Sequence, residues 1–429
     1  MKVVVVGLWH LGSVTAACLA AAGIDTIGLD DDADCVAALA RGEPPLYEPG
    51  LDDLVRAGLM AGRLAFTTNA AAVAAADVVW ACHDTPVDDA DRADVDDVVR
   101  RIESLFEHFR DGAVVLVSAQ LPVGSVARLE SVYAAGQTGR CVSFACSPEN
   151  LRLGRAIDAF QNPGRIVVGI RDRAARERLE SLLGRFCDRL VWMSVESAEM
   201  VKHALNAFLA TSITFTNEIA AICEQVGADA GEVEAGLRLD PRIGPNAYVR
   251  SGSAFAGGTL ARDVNFLTTT ARDRQIAVPV LDSILASNRA HAQWALSHLR
   301  RELGLLAGRT VGILGLAYKA GTGSLRRSSA IELVRALVGE RAVVRAFDPQ
   351  VARLPDEFAA VTLTPSALAA AQGADAVVVT TDWPEFRVLA ADDIARMMAG
   401  TTVLDPGRFL DGGFASHPRI RLISVGRMP

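Results

Sequence analysis

Three stretches of the 429-residue sequence carry residue types and spacings that could do chemistry. Residues 252–263, GSAFAGGTLARD, place Thr259 where a nucleophile would follow the glycines, and they end in Asp263. Such a stretch reads as a flexible turn, a phosphate cradle or the floor of an active site, because glycines let backbone approach a ligand closely. Lys202 and Asn206 are four residues apart in a helical pattern and share one face, as a functional pair or as a solvated polar stripe. Gly7-Leu8-Trp9-His10-Leu11-Gly12 follows an apolar run and precedes a helix, with Asp30 about 20 residues on, the layout of a dinucleotide-binding βαβ unit. Trp9 stands where the middle glycine of that fingerprint would be, while Gly7 and Gly12 keep the tight turn and the close approach of helix to strand. Asp30 suits ribose hydroxyls and repels a 2′-phosphate, which favours NAD over NADP; its other reading is a helix N-cap.

These groups need a scaffold, and the hydrophobic pattern supplies one. MKVVVV, DTIGLD, DVVWAC (77–82), AVVLVS (113–118) and RCVSFAC (140–146) alternate with helical segments and indicate a doubly wound parallel sheet. Residues 196–226 contain neither Gly nor Pro and predict one long helix, a spine or a dimer interface. RTVGILGLAYK (309–319), VVRAFDP (343–349), AVVVTTDW (376–383) and TTVLDP (401–406) open a second αβ series. The expected fold class is α/β: two Rossmann-like doubly wound parallel-sheet domains joined by a long central helix and a helical middle domain. Its divisions fall at 1–190, 191–300 and 301–429, with ligands in the crevice at the strand carboxyl ends.

Composition narrows the partners. A net charge of −8 argues against nucleic acid, which requires clustered basic surface. No apolar run reaches the ~18 residues a membrane helix needs, and MKVVVV runs into a glycine turn without the layout of a signal peptide. The seven cysteines show no CxxC pair and read as reduced thiols of a cytoplasmic protein; no metal site is expected. Only three lysines, Lys2, Lys202 and Lys319, stand against 40 arginines, so an internal lysine invites a functional reading.

Taken in chain order, the motifs resemble the UDP-glucose/GDP-mannose dehydrogenase family over almost the whole length. They are Gly7–Gly12 with Asp30, LYEPGLDDLV (46–55), DTP (84–86), LPVGS (121–125), SPENLRLGRAIDAFQNPGRIVVG (147–169) and AEMVKHALNAFLA (198–210) with FTNEIA (215–220). Beyond these come DPRIG (240–244) with the glycine loop, LAYKAGTGSLRRSSAIELV (316–334), FDP (347–349), TDWPEF (381–386) and DPGRFLDG (405–412). The resemblance implies NAD as cofactor, a nucleotide-sugar substrate with UDP-hexose favoured, a homodimer through the 196–226 helix, and polysaccharide or specialised-metabolite biosynthesis. It implies oxidation of a sugar C6 alcohol through an aldehyde to a carboxylate, the aldehyde being captured by a cysteine. Lys202, Asn206, Asp263 and Glu149 match the catalytic lysine, asparagine, aspartate and glutamate. Lys319 and Arg408 match groups on the nucleotide, and Arg242 resembles an arginine that reaches the sugar from a neighbouring subunit. Leu151, Tyr248, Gly252 and Phe255 complete the expected substrate set. Gly7, Trp9, His10, Leu11, Gly12, Asp30, Thr85, Pro86, Gln120 and Arg326 form the expected cofactor set.

The departures are specific. The family loop reads approximately GxGFGGSCFPKD, and its cysteine position holds Thr259. A thiol titrates near 8.5 and is nucleophilic, whereas an alcohol is a poor nucleophile without a dedicated base. Gln120 replaces a threonine associated with the catalytic water, Asn150 an aromatic residue, and Gly323-Ser324 a pair of aspartates. The expected outcome is alcohol oxidation without the usual four-electron route. A redox-neutral epimerase or lyase with tightly held NAD, and a non-catalytic nucleotide-sugar binder, are the alternatives.

Overall fold

Lys2–Val6 (β1) is a run of valines without alternation, the pattern of a strand covered on both faces, and Val3, Val4 and Val5 are fully buried. The computed structural model describes residues 1–86, 88, 93–136, 139–149, 151, 153–410 and 412–427, which divide into two compact units at Leu205/Asn206. The expected change at Asn150 lies outside the described residues.

In the first unit β1 is joined by β2 (Asp25–Leu29), β3 (Leu64–Thr67), β4 (Val78–Ala81), β5 (Val114–Val117), β6 (Ser143–Cys146), β7 (Ile166–Gly169) and β8 (Leu190–Met193). Their order is β3-β2-β1-β4-β5-β6-β7-β8, so the topological switch point lies between β1 and β4. Alternate residues of β1 feed opposite cores. Val3 and Val5 pack with Val14, Leu19 and Leu39, while Val4 and Val6 pack with Val99, Phe109 and Leu129. Burying each such side chain contributes about 2 kcal/mol, so both sheet faces hold the switch point in place. One pairing departs from the expected parallel sheet: β6 and β7 meet at a single antiparallel pair, Cys146 opposite Gly169.

The second unit repeats the winding. Strands β9 (Thr310–Leu314), β10 (Val343–Phe347), β11 (Thr362–Leu363), β12 (Ala376–Val379), β13 (Thr402–Leu404) and β14 (Arg421–Ile423) take the order β11-β10-β9-β12-β13-β14, all parallel. Ahead of this sheet lie the helices Ala230–Leu239, Thr259–Asp273, Pro279–Ala292 and Trp294–Leu303. The predicted spine is one helix, Val195–Val226, which begins in the first unit and ends in the second. No described helix is long and apolar enough to cross a membrane.

Candidate active site

The first glycine turn is forced by close packing. Gly7 has φ +87°, and a Cβ there would sit 2.8 Å from the backbone of His83; a Cβ on Gly12 would sit 1.7 Å from the Gly7 carbonyl. The helix His10–Ala21 therefore starts close against β1, with Trp9 at its N-cap and half exposed. Its first amides are unpaired N–H groups at a positive dipole end, which suits an anion such as a pyrophosphate.

Asp30 follows β2 and accepts hydrogen bonds from Leu8 N at 2.6 Å and Asp32 N at 3.0 Å. The cap of the next helix is Asp32, which accepts from Asp34 and Cys35, so Asp30 is not the N-cap. Burial pushes the Asp30 carboxyl above its usual range, against the pull of the Leu8 and Asp32 amides. Asp30, Asp31 and Asp32 line one cleft with Gly7, Trp9, His83 and Pro86, and three acids there would repel a 2′-phosphate. Closed turn, open helix terminus and acid at the β2 end fit NAD.

A second cavity of the first unit gathers Gln120, Glu149 and Lys202. Lys202 Nζ donates to the Glu149 carbonyl at 2.7 Å and lies 4.0 Å from its Oε1, with only 11% of its side chain exposed. The amide of Leu151 donates to Glu149 Oε2 at 2.5 Å, and Thr85 Oγ1 donates to the Gln120 carbonyl at 2.8 Å. Leu11 and Leu151 line an adjoining, largely apolar cavity that shares Glu149.

In the second unit, Asn206 Nδ2 donates to Asp263 Oδ2, and Asp263 is fully buried. Thr259 is the first residue of the helix Thr259–Asp273 and is exposed. The loop before it is clamped: Gly252 N donates to Asn217 Oδ1 at 2.9 Å, and the Gly252 carbonyl meets His291 Nε2 at 2.7 Å. Asn288 both accepts from Phe255 N and donates to Phe255 O, the pairing a neighbouring strand would make. Lys319 Nζ lies 5.6 Å over the Tyr318 ring. Arg408 is held by Glu234. Arg242 is tied to Asp240 within its own turn and is otherwise exposed, as are Tyr248 and Arg326.

The sequence patterns of this family's domains match the chain in order. The NAD binding domain of the UDP-glucose/GDP-mannose dehydrogenase family matches residues 1–187, its central domain 196–290, and its UDP binding domain 312–412. The chain belongs to that family. It is 35% identical over 436 residues to a UDP-glucose 6-dehydrogenase of Pseudomonas aeruginosa, with 96% of each chain covered. It is 31% identical to the UDP-glucose 6-dehydrogenase TuaD of Bacillus subtilis, covering 94% of this chain and 88% of that protein. The solved UDP-glucose dehydrogenase of Pyrobaculum islandicum superposes with a TM-score of 0.88 at 29% identity, covering 100% of this chain and 98% of that one. The protein is thus an NAD-dependent oxidoreductase acting on a nucleotide sugar, and its two sheets are the Rossmann-like domains expected of such a dehydrogenase.

Several polar groups at this dehydrogenase's sites were not singled out by sequence. Glu48, buried, accepts from Gly154 N and Ala156 N and meets His10 Nε2 at 2.9 Å, joining the cofactor turn to the segment after Glu149. His203 meets the Leu121 carbonyl at 2.9 Å, and Glu199 accepts from Gly124 N and Val126 N, so the loop bearing Gln120 is pinned to the helix bearing Lys202. His83 is buried in the cofactor cleft, and burial, reinforced by Arg101 and opposed by Asp31 and Asp97, lowers its pKa from 6.5 to about 4. Only Glu48 carried a signal, as part of LYEPGLDDLV. Among the described residues no group of three His, Cys, Asp or Glu is arranged to hold a metal.

Proposed function

We propose that the chain oxidises the C6 alcohol of a UDP-hexose and stops at the aldehyde, a two-electron reaction. The observation that carries this is Thr259 at the mouth of its helix, where capture of an aldehyde needs a nucleophile. A hydroxyl there holds its proton far too tightly to attack without a base. The cysteines offer no replacement. Cys223, the one cysteine in the second unit, is 4% exposed inside the core. Cys146 borders the cavity of Lys202 and Glu149, but it is 6% exposed and burial pushes its thiol up, which disfavours the thiolate.

The alcohol oxidation keeps its groups in this reading. Lys202 takes the C6 hydroxyl proton directly or through water, held in place by the Glu149 carbonyl. Asn206, oriented by Asp263, donates to the oxygen as it gains charge. NAD, when bound, supplies the hydride acceptor. For each alcohol converted to aldehyde, one NADH forms and one proton is released.

The remaining assignments are proposals of the same kind. The three regions 1–190, 191–300 and 301–429 serve cofactor, spine and nucleotide. Arg242, Tyr248, Lys319 and Arg408 face the substrate or a neighbouring subunit. The chain forms a cytoplasmic homodimer through the spine helix, where Phe208, Phe215 and Ile222 recur every seven residues and are exposed at 66%, 47% and 57%.

The experiment counts NADH formed per UDP-glucose consumed, with the product trapped by hydroxylamine and identified by mass. One NADH per sugar and an oxime of the 6-aldehyde is the expected result. Two NADH with a uronate product would falsify the reading, and sugar conversion without NADH would favour the redox-neutral alternative.

A further inference from the structure

The nucleotide end of the second unit contains a buried charge that the alcohol oxidation does not use. Glu234 lies on the helix Ala230–Leu239, at a position 6% exposed, where a carboxylate is costly unless it is paired and hydrogen-bonded. Its Oε1 collects three donors: Ser251 N at 2.8 Å, Ser251 Oγ at 2.7 Å and Arg408 Nη2 at 2.5 Å. Arg408 Nη2 also donates to the Ser251 carbonyl at 3.1 Å, so guanidinium, carboxylate and Ser251 close one ring. Arg408 is one of four non-glycine residues with positive φ among those described, at 50°, so its backbone is held in a conformation L-residues disfavour. A second strap runs parallel to the ring, from Arg250 Nη2 to the Gly407 carbonyl at 2.9 Å.

Two consequences follow from this geometry. Both of these Arg408 bonds leave from Nη2, whereas an arginine has five N–H donors in a rigid fork. Glu234 and Ser251 thus fix one corner of the guanidinium, and with it the plane in which the Nη1 and Nε donors lie. Ser251 is also the residue before Gly252, so the same ring reaches the clamped loop that leads to Thr259.

We infer that Glu234 is a positioning residue: it orients Arg408 to receive an anionic oxygen of the nucleotide diphosphate, and through Ser251 it couples nucleotide binding to the order of loop 252–258. This rests on the reading that Arg408 contacts the nucleotide. Occupying Arg408 with a diphosphate stiffens the ring, and the stiffened ring holds the loop. Glu234 acts through Arg408 and Ser251, so its effect falls on affinity and loop order together.

The test measures UDP binding by calorimetry on the full-length protein, with hydrogen–deuterium exchange over loop 252–258 and thermal unfolding of each variant as a control. The variants are Glu234→Ala, Glu234→Gln and Arg408→Ala. For Glu234→Ala the expected result is a tenfold or greater weakening of UDP binding and loss of the UDP-induced protection of the loop. Glu234→Gln, which keeps an acceptor for Ser251 but not the ion pair, recovers part of both. A Glu234→Ala variant that unfolds at a lower temperature yet binds UDP within twofold of wild type, with loop protection intact, would overturn the inference and leave Glu234 a packing residue. If Glu234→Ala does not fold, the Gln variant alone decides by the same two readouts. Unchanged UDP binding in Arg408→Ala would instead overturn the assignment of Arg408 to the nucleotide.

Discussion

Asn206 donates through its side-chain amide to Asp263, and this pair joins the spine helix to the helix that starts at Thr259. The carboxylate is fully buried, so it fixes which edge of the Asn206 amide is a donor and where it points. Removing it with Asp263→Ala leaves a buried amide without that acceptor. The expected loss of stability is about 1–3 kcal/mol by urea unfolding. The expected loss of turnover is larger, about 10²-fold, because a donor aimed at a developing oxyanion is effective only when pre-oriented. A variant that loses stability but keeps its kcat would show that the pair is structural only.

A pH dependence follows from His83. Its folded pKa, about 4, lies below the ordinary value of 6.5, so the unfolded chain binds the proton first. The sign is therefore fixed: the contribution is fully present above pH 6.5 and is lost as pH falls from 6.5 to about 4. Over that window wild type should lose about 3 kcal/mol relative to His83→Gln, which has nothing to titrate there. Urea midpoints of both proteins at pH 4, 5, 6 and 7 read the difference directly. A gap that does not change with pH would mean that the imidazole is not held neutral by its burial and the nearby Arg101.

Much of this architecture was legible in the sequence because it rests on periodicity and on glycines that nothing else can replace. Uninterrupted valines announced buried parallel strands, and Gly7 with Gly12 announced the turn whose Cβ clashes are now explicit. The single antiparallel contact of β7 was not legible, since a two-residue alternation carries no information about strand direction. Glu234, Asn288 and His291 were missed for a related reason. A polar residue on a helix has the same local pattern whether it faces solvent or clamps a loop, and only the tertiary partner separates the two. His83 escaped notice because it stands alone after β4, and it packs against Gly7, more than 70 residues earlier.

Cys146 provides a control on the chemistry. It lines the cavity of Lys202 and Glu149, but its burial holds it protonated. Cys146→Ser should therefore leave turnover within about threefold, as expected for an inert buried thiol. Iodoacetamide should label the exposed Cys141 first, by peptide mass, without loss of activity. Inactivation that tracks modification of Cys146 would mean that this thiol, in place of the missing one, carries the second oxidation.

Restoring a thiol at the loop is the most direct test of what Thr259 changes. Thr259→Cys puts sulfur at the first position of a fifteen-residue helix, where the unpaired amides and the dipole favour the thiolate. The position is exposed, so the substitution strains no core packing and its effect reads on chemistry. The expected change is from one NADH per sugar to more than one, with uronate appearing by mass, while Thr259→Ser leaves the stoichiometry at one. Gln120 still stands where the family resemblance implies a water-handling threonine, so hydrolysis of the captured species should remain slow in the single variant. The double variant Thr259→Cys/Gln120→Thr should then turn over faster to the same uronate. A Cys variant that labels readily with iodoacetamide, and so has a reactive thiol, yet yields only aldehyde alone or paired with Gln120→Thr would place the block elsewhere. In that case the changed shape of the pocket, and not the lost nucleophile, sets the product.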